Sequence, residues 1–173
     1  MTHHIQRGSL ARAIPLAILS APSLVFGMLC LALFGVLGMV TCLRVGKSGA
    51  WSIDATWRPW VASRWRYSTT LGLSVVYHPL HLATPARAEE LQRHESVHVR
   101  QHQDHGVLGA LLAIPLLFIS PTAALIVWLC SPLYSAACWL GAVLRGGHVY
   151  RDAEHERSAY GQVASGWDRP WQG

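Results

Sequence analysis

Residues 93–98 of the chain read RHESVH, in which His94, Glu95 and His98 form the pattern H-E-x-x-H. On an α-helix, residues i and i+4 lie about 40° apart and one turn on, so the two imidazoles point to the same place. That spacing lets both rings bind one Zn²⁺ ion through bonds of roughly 2.0–2.1 Å. The carboxylate of Glu95, about 100° from His94 around the helix, can take a proton from a zinc-bound water. The pattern predicts zinc-dependent hydrolysis with Glu95 as the catalytic base.

Two histidines do not complete a catalytic zinc site, which needs three protein ligands and one open position. The downstream segment YRDAEHERSAY (150–160) contains carboxylates that can act as the third ligand. The same pattern also arises by chance in histidine-rich helices, and this chain has 10 histidines. Two other interpretations therefore stay open: a membrane-anchored zinc-binding or interaction protein without catalysis, and a membrane protein without metal.

The composition is that of a membrane protein, with 51% hydrophobic and only 13% charged residues. Residues 13–43 and 107–144 contain no charged residue at all. A bilayer core needs about 20 apolar residues per helix, so 13–43 is long enough for an uncleaved transmembrane anchor. The alternative for this run is a buried core hairpin broken at Pro15 or Pro22. We expect an integral membrane protein with the lipid bilayer as one partner.

The net charge of +5 does not indicate a nucleic-acid partner, because the basic residues stand where membrane proteins place them. They flank the apolar runs and alternate with tryptophans, a pattern typical of anchoring at a membrane interface with attraction to anionic lipid. The residues concerned are Arg44, Lys47, Trp57, Arg58, Trp60, Arg64, Trp65, Arg66, Arg145 and Arg151.

The remaining segments predict a small α+β domain after the anchor. The stretch GKSGAWSIDATW (46–57) can form one strand, and the alternation in TLGLSVVYH (70–78) predicts another. Thr84 and Pro85 are typical of a helix start, and Gly106 is typical of a helix stop, so we expect a helix from about 85 to 105. The predicted layout is a tail at 1–12, an anchor at 13–43 and a domain at 44–173 that includes a hydrophobic hairpin at 107–144 and a short helix near 151–164.

The two segments LQRHESVHVRQ and YRDAEHERSAY together resemble the gluzincin zinc metallopeptidases, in which HE-x-x-HV-x-Q is followed by E-x-x-A. The membrane peptidases of the HtpX and CAAX prenyl protease type 1 group are a further, distant parallel. The resemblance implies a zincin-like fold, with an active-site helix beside a short antiparallel sheet, and a zinc metalloendopeptidase activity. It implies that Glu156, three residues before Ala159, is the third zinc ligand beside His94 and His98. Glu154 is the alternative.

The resemblance also extends to the substrate. It implies that a peptide or protein segment near the membrane is hydrolysed by Glu95-assisted attack of zinc-bound water. An edge strand beside the helix, here within 71–77, is then the candidate that holds the substrate backbone, although a purely structural strand is an equal alternative. His148, His155 and Tyr160 stand near the third ligand, and each is an open candidate for stabilising the oxyanion.

A shared metal ion would constrain the membrane topology. If His94, His98 and Glu156 bind one ion, residues 106 and 145 lie on the same side of the membrane, so 107–144 crosses it twice or not at all. Twelve of the 14 Lys and Arg residues follow residue 43, which by the positive-inside rule predicts a cytoplasmic catalytic face.

Overall fold

The computed structural model describes residues 15–45 and 52–147, together with residues 153, 156 and 159. The helices are α1 (Ala21–Val36), α2 (Pro59–Ala62), α3 (Pro85–Leu116), α4 (Pro121–Leu129) and α5 (Tyr134–Leu144). The strands are β1 (Val40–Val45), β2 (Ile53–Trp57), β3 (Thr69–Leu71) and β4 (Ser74–Tyr77). Short 3₁₀ turns cover Pro79–Leu82 and Ser131–Leu133. Of the segment 151–164, for which we predicted a helix, only residues 153, 156 and 159 are described, and residues 156 and 159 are helical.

The four strands form one mixed sheet in the order β1-β2-β4-β3. The pairs β1–β2 and β3–β4 are antiparallel, whereas β2 and β4 run parallel. The predicted α+β class is therefore confirmed, but the prediction of a purely antiparallel sheet is wrong. Parallel pairing needs a crossover connection, and here α2 and β3 lie between β2 and β4 in the chain. In this order β3 stands at one edge of the sheet and pairs only with β4 among the described strands.

The single strand predicted for 70–78 is in fact the β3–β4 hairpin. Gly72 makes the turn with a φ of 59°, a left-handed conformation that side-chain-bearing residues rarely adopt. The turn lies against α1, because the backbone N–H of Leu73 donates to the carbonyl of Ser23 at 3.2 Å and a Cβ on Gly72 would collide with that carbonyl. The sequence pattern did not reveal this turn, because Leu71 and Leu73 continue the alternation of apolar residues on either side of Gly72.

Helix α3 starts as predicted and ends eleven residues later than 105. Thr84 is its N-cap residue and Pro85 lies in the first turn. The predicted stop at Gly106 is wrong, because Gly106 lies inside the helix in close contact with the segment that leads into α1. A Cβ on Gly106 would stand 2.7 Å from the Cα of Ser20. The glycine thus allows two backbones to approach each other, and α3 continues to Leu116.

Two apolar cores lie on opposite faces of the sheet. One packs the sheet against α1 and α2, and its buried residues are Leu31, Val40, Ala55, Trp57, Val61, Ala62 and Val76. The other packs the sheet against α3, and its buried residues are Leu73, Val75, Leu91, Tyr77 and Val99. All four residues of β4 are buried, because this strand has a core on both faces.

The two charge-free runs are divided differently from the layout expected from sequence. Within 13–43 the helix α1 ends at Val36 and the strand β1 begins at Val40, so the end of the run belongs to the sheet. Within 107–144 the first ten residues continue α3, so a separate hairpin is not confirmed. By length and composition one described helical segment, Pro121–Leu144, is long and apolar enough to cross a membrane, with 24 residues and a mean hydropathy of 1.7.

Candidate metal centre

The apolar contacts of α3 determine which of its side chains face inward. Leu91 and Val99, eight residues apart, are fully buried against Val75 and Tyr77 of β4. Residues eight apart lie about 80° apart around a helix, within one buried stripe, so these contacts fix the rotation of α3 about its axis. His94, Glu95 and His98 fall within the same buried stripe. Packing on the sheet therefore turns the whole HExxH pattern toward the interior.

Three donor atoms converge at this point: Nε2 of His94, Nε2 of His98 and Oε2 of Glu156. The two nitrogens are 3.2 Å apart. The carboxylate oxygen is 3.5 Å from the nitrogen of His94 and 3.3 Å from that of His98. A tetrahedral zinc ion with bonds of roughly 2.0–2.1 Å holds its ligand atoms about 3.3–3.4 Å apart. The triangle of donors thus has the dimensions of one face of such a tetrahedron, and the group can hold a metal ion.

Glu156 reaches the two histidines from the other end of the chain. The structure places it with its carboxylate buried between them, and Ala153 and Ala159 are fully buried beside it. Residues 156 and 159 are both helical, and a spacing of three residues keeps their side chains on one face of a helix. The alternative ligand Glu154 lies outside the described residues.

Gln101 orients one of the histidines. Its Oε1 lies 2.9 Å from Nδ1 of His98, one helical turn back. An amide oxygen accepts a hydrogen bond, so Nδ1 of His98 carries a proton, and Nε2 is the nitrogen that faces His94 and Glu156 and can bind a metal ion once it has lost its own proton. A hydrogen bond of this kind fixes both the tautomer and the ring plane that a metal ligand needs. The His94 and His98 rings lie at 85° to each other.

Without a metal, the donors hold one another through charge. Burial lowers the pKa of His98, but its hydrogen bond to Glu156 and the charges of Glu156 and Glu95 outweigh burial and raise that pKa to about 9. Burial raises the pKa of Glu156, but the hydrogen bonds and charges of His94 and His98 outweigh it and lower that pKa to about 2. A metal ion that binds here must displace a proton from His98, so binding competes with protons.

Glu95 is held by the sheet, separately from the three donors. Its Oε2 accepts a hydrogen bond of 2.5 Å from Oγ1 of Thr70, and both residues are buried. Thr70 is the middle residue of the edge strand β3. The carboxylate of Glu95 is therefore fixed between α3 and β3, the strand at the edge of the described sheet.

Two other histidines, His78 and His81, belong to the loop after β4. His78 is buried, and its Nδ1 accepts from the backbone N–H of Leu80 at 3.2 Å while its Nε2 donates to the carbonyl of Ala62, also at 3.2 Å. Both ring nitrogens thus hold the backbone of the loop. His81 stands beside His78 with ring centroids 5.0 Å apart, and burial lowers its pKa, as do the charges of His78 and Arg87. Their role is structural.

Two more histidines, His102 and His105, follow on α3 and contact the apolar helices. Nε2 of His102 lies 3.1 Å from Oγ of Ser135, and the ring of His105 stacks on Tyr134 with centroids 3.6 Å apart. Neither belongs to the metal group among the described residues. The other candidates for an oxyanion contact, His148, His155 and Tyr160, lie outside the described residues.

The structure therefore brings together the three ligand residues expected from sequence and adds two that sequence reasoning missed. Gln101 could have been found from the sequence, because it follows His98 by three residues on one helix. Thr70 could not have been found in this way, because only the folding of β3 against α3 brings it to Glu95, 25 residues away.

No family model, curated protein or solved structure gives a match in a comparison with this chain.

Proposed function

We propose that this chain is a membrane-integrated zinc metallopeptidase of the gluzincin type. The observation that carries the proposal is the convergence of His94, His98 and Glu156 on one point. Glu95 is buried on the same helix as the two histidines, and its charge acts on His98. Two imidazoles and one carboxylate are a donor set that occurs in catalytic zinc sites, with the fourth position left for water or substrate. Zinc is therefore our choice of metal, since imidazole nitrogen and carboxylate oxygen suit it and the donor spacing matches its bond lengths.

Each residue then has a defined task. His94, His98 and Glu156 hold the ion, and Gln101 keeps the His98 ring in the binding tautomer. A bound zinc ion supplies Lewis-acid activation of a water and of the substrate carbonyl. Glu95 accepts the proton of the attacking water at its carboxylate and can pass it to the leaving amine. Thr70 keeps that carboxylate turned toward the edge of the sheet, where a peptide backbone can pair with β3.

The membrane part of the proposal rests on the large apolar side chains that face outward. They lie on α1, on the second half of α3 and the turn after it, and on α4–α5, and they include Met28, Leu29, Leu33, Leu111, Leu112, Phe118, Ile119, Leu125, Ile126, Leu129 and Leu140. An exposed apolar surface of this extent is stable in hydrocarbon and unfavourable in water. By length and composition the helical segment Pro121–Leu144, with 24 residues, exceeds the about 20 residues that a span of a bilayer core needs.

The polar half of the protein then lies at one membrane surface. Arg44, Arg58, Arg64 and Arg66 are exposed, and Trp60 and Trp65 are exposed among them. Arginines and tryptophans at this level anchor a protein at the headgroups, and the positive-inside rule makes that surface cytoplasmic. The substrate in this proposal is a peptide segment at or near the bilayer.

The test replaces Glu95 and leaves the metal ligands intact. We expect Glu95→Gln to keep about one zinc per chain, because Glu95 is not a ligand, and to lower peptide cleavage by about 10²–10⁴-fold through loss of the general base. Zinc is measured by mass spectrometry of the detergent-purified protein, and cleavage with a library of proteome-derived peptides. The matched control is Glu89→Gln, on an exposed glutamate of the same helix that pairs with Arg93.

Three outcomes would count against the proposal. A wild-type protein that binds zinc but cleaves no peptide would indicate a zinc-binding protein without catalysis. A wild-type protein that retains no metal would leave a membrane protein with an accidental HExxH pattern. Equal cleavage by Glu95→Gln and wild type would remove Glu95 from the mechanism.

A further inference from the structure

An apolar cavity lies on the face of the sheet that is turned away from the metal centre. Its volume is ≈ 460 Å³, within the range of about 300–1,000 Å³ that small-ligand sites occupy. Its lining residues come from α1 and the turn after it, from the sheet, from α2 and the loop after it, and from α5: Phe34, Met39, Trp57, Val61, Trp65, Thr69, Leu71 and Trp139.

The cavity wall offers almost no hydrogen-bonding groups. The indole N–H of Trp57 donates to the carbonyl of Tyr67 at 3.1 Å, and that of Trp65 donates to Oγ1 of Thr69 at 3.2 Å. These polar groups are satisfied within the protein, so the two rings present hydrocarbon to the cavity. A ligand for such a space must itself be apolar, since a polar group would lose its hydrogen bonds to water without replacement.

The edge strand β3 connects this cavity to the metal centre. Successive side chains of a strand point to opposite faces of the sheet. Thr70 points to the α3 face and binds Glu95, whereas its neighbours Thr69 and Leu71 line the cavity on the other face. A peptide that pairs with the outer edge of β3 alternates in the same way. When one of its residues stands on the side of Glu95, the adjacent residues stand on the side of the cavity.

We propose that the cavity is a specificity pocket that binds a large apolar side chain of a peptide substrate paired with β3. This inference rests on the proposed peptidase function and names the chemistry that the enzyme selects. The continuity of β3 from the cavity to Glu95 favours a substrate side chain as the occupant. Along the substrate peptide, the residue bound in the pocket stands an odd number of positions away from any residue on the metal-centre side. The pocket favours a large apolar residue such as Leu, Met, Phe or Trp.

The first experiment fills the pocket and reads the cleavage specificity. Thr69→Phe places an aromatic ring in the cavity, whereas Thr69→Val keeps the volume of the native side chain and serves as the matched control. Wild type and Thr69→Val should cleave proteome-derived peptides with enrichment of large apolar residues at one subsite. Thr69→Phe should lower cleavage at those sites by at least about tenfold and shift the enrichment to Gly and Ala. Leu71→Trp fills the cavity from the neighbouring lining position, should Thr69→Phe fail to fold.

A second readout does not depend on catalysis. The Glu95→Gln protein is irradiated with an eight-residue Ala-Thr peptide that carries one benzoylphenylalanine, and cross-linked residues are identified by mass spectrometry. We expect cross-links at the cavity residues Phe34, Met39 and Trp139, which disappear in Glu95→Gln/Thr69→Phe and persist in Glu95→Gln/Thr69→Val. A wild type that cleaves nothing while these cross-links form would overturn the peptidase proposal and leave the pocket as a peptide-binding site.

Other results would overturn the pocket itself. If wild type cleaves peptides and Thr69→Phe and Leu71→Trp leave its subsite preference unchanged, the cavity does not select the substrate. If no cross-link forms at the cavity and a lipid copurifies with wild type but not with Thr69→Phe, the cavity holds a lipid hydrocarbon chain instead.

Discussion

The two halves of helix α3 differ in the polarity of their buried and exposed side chains. In the first half, taken here as residues 85–105, most of the buried side chains are polar: His94, Glu95, His98, His102 and Gln103 are all less than 9% exposed, beside the buried apolar Leu91 and Val99. In the second half the exposed side chains are apolar, and just beyond the helix Phe118 and Ile119 are 89% and 80% exposed. One continuous helix therefore has a polar interior near its start and an apolar exterior near its end.

The difference indicates that the two halves have different surroundings. Buried polar groups are tolerated in the first half because they satisfy one another or bind an ion, as the contacts among His98, Gln101 and Glu156 show. Exposed leucines are tolerated in the second half only where the surrounding medium is itself apolar or another apolar surface covers them. The contacts between the apolar helices use small residues, such as Gly109 beside Ser131, as is typical of helices that pack in lipid.

The largest effect should come from removing a metal ligand in the polar half. We expect His98→Ala to lower zinc affinity by more than about 100-fold, because loss of a direct ligand exceeds the 10–100-fold loss measured for outer partners. Metal content of the purified protein, determined by mass spectrometry beside His94→Ala and Glu156→Ala, is the measurement. His81→Ala is the control and should keep the metal. Zinc that is retained in Glu156→Ala would contradict the three-ligand site.

The next largest effect should come from a charge placed among the exposed apolar side chains of α4. Leu129, 53% exposed, lies near the middle of Pro121–Leu144, and Leu129→Lys should cost about 2.5–3.5 kcal/mol of membrane insertion if this segment is in lipid. The matched control is Leu80→Lys, at a leucine of the 3₁₀ turn Pro79–Leu82 that is 68% exposed. There the cost should stay within about 0.5 kcal/mol. Membrane flotation after alkaline extraction measures both. Equal membrane flotation of the two variants would show that the exposed apolar side chains of α4 do not lie in lipid.

The junction of the two halves should be sensitive to a single methyl group. Gly106→Ala places a Cβ 2.7 Å from the Cα of Ser20, so we expect a loss of about 1–3 kcal/mol in the free energy of unfolding from overpacking. In contrast, Gly35→Ala on α1 meets nothing within 4 Å and should stabilise the protein by about 0.5–1 kcal/mol. Denaturation in detergent compares the two. A Gly106→Ala protein as stable as wild type would show that α3 and the start of α1 can separate without cost.

The smallest effect should come from the residue that orients His98. Gln101→Ala removes the acceptor of the Nδ1 proton, and we expect zinc affinity to fall by about tenfold, since water can replace part of the hydrogen bond. Competition with a chromogenic chelator measures the affinity, and Gln92→Ala on the same helix is the control. An unchanged affinity in Gln101→Ala would show that the ring is oriented by packing alone.

Most of the candidate site could be predicted from local sequence, and most of the sheet could not. His94, Glu95 and His98 are joined by helical periodicity, and Thr84 and Pro85 mark where that helix begins. Glu156 required a resemblance to E-x-x-A, because no local rule connects residues 58 positions apart. The mixed sheet was missed because parallel pairing of β2 with β4 depends on a crossover, and the apolar pattern of a strand does not name its partner.

The sequence by itself determined which side chains can bind a metal ion and which segments carry no charge. The HExxH spacing, the carboxylate-rich segment near 156 and the two uncharged runs are all local, and each has a direct physical meaning on a helix or in a bilayer. Tertiary structure decided the rest. It placed the Glu156 carboxylate within 3.5 Å of both histidine nitrogens, the Thr70 hydroxyl on Glu95, and an apolar cavity on the reverse face of β3. These contacts join residues far apart in the chain, and only the packing of α1 and α3 on opposite faces of one small sheet brings them together.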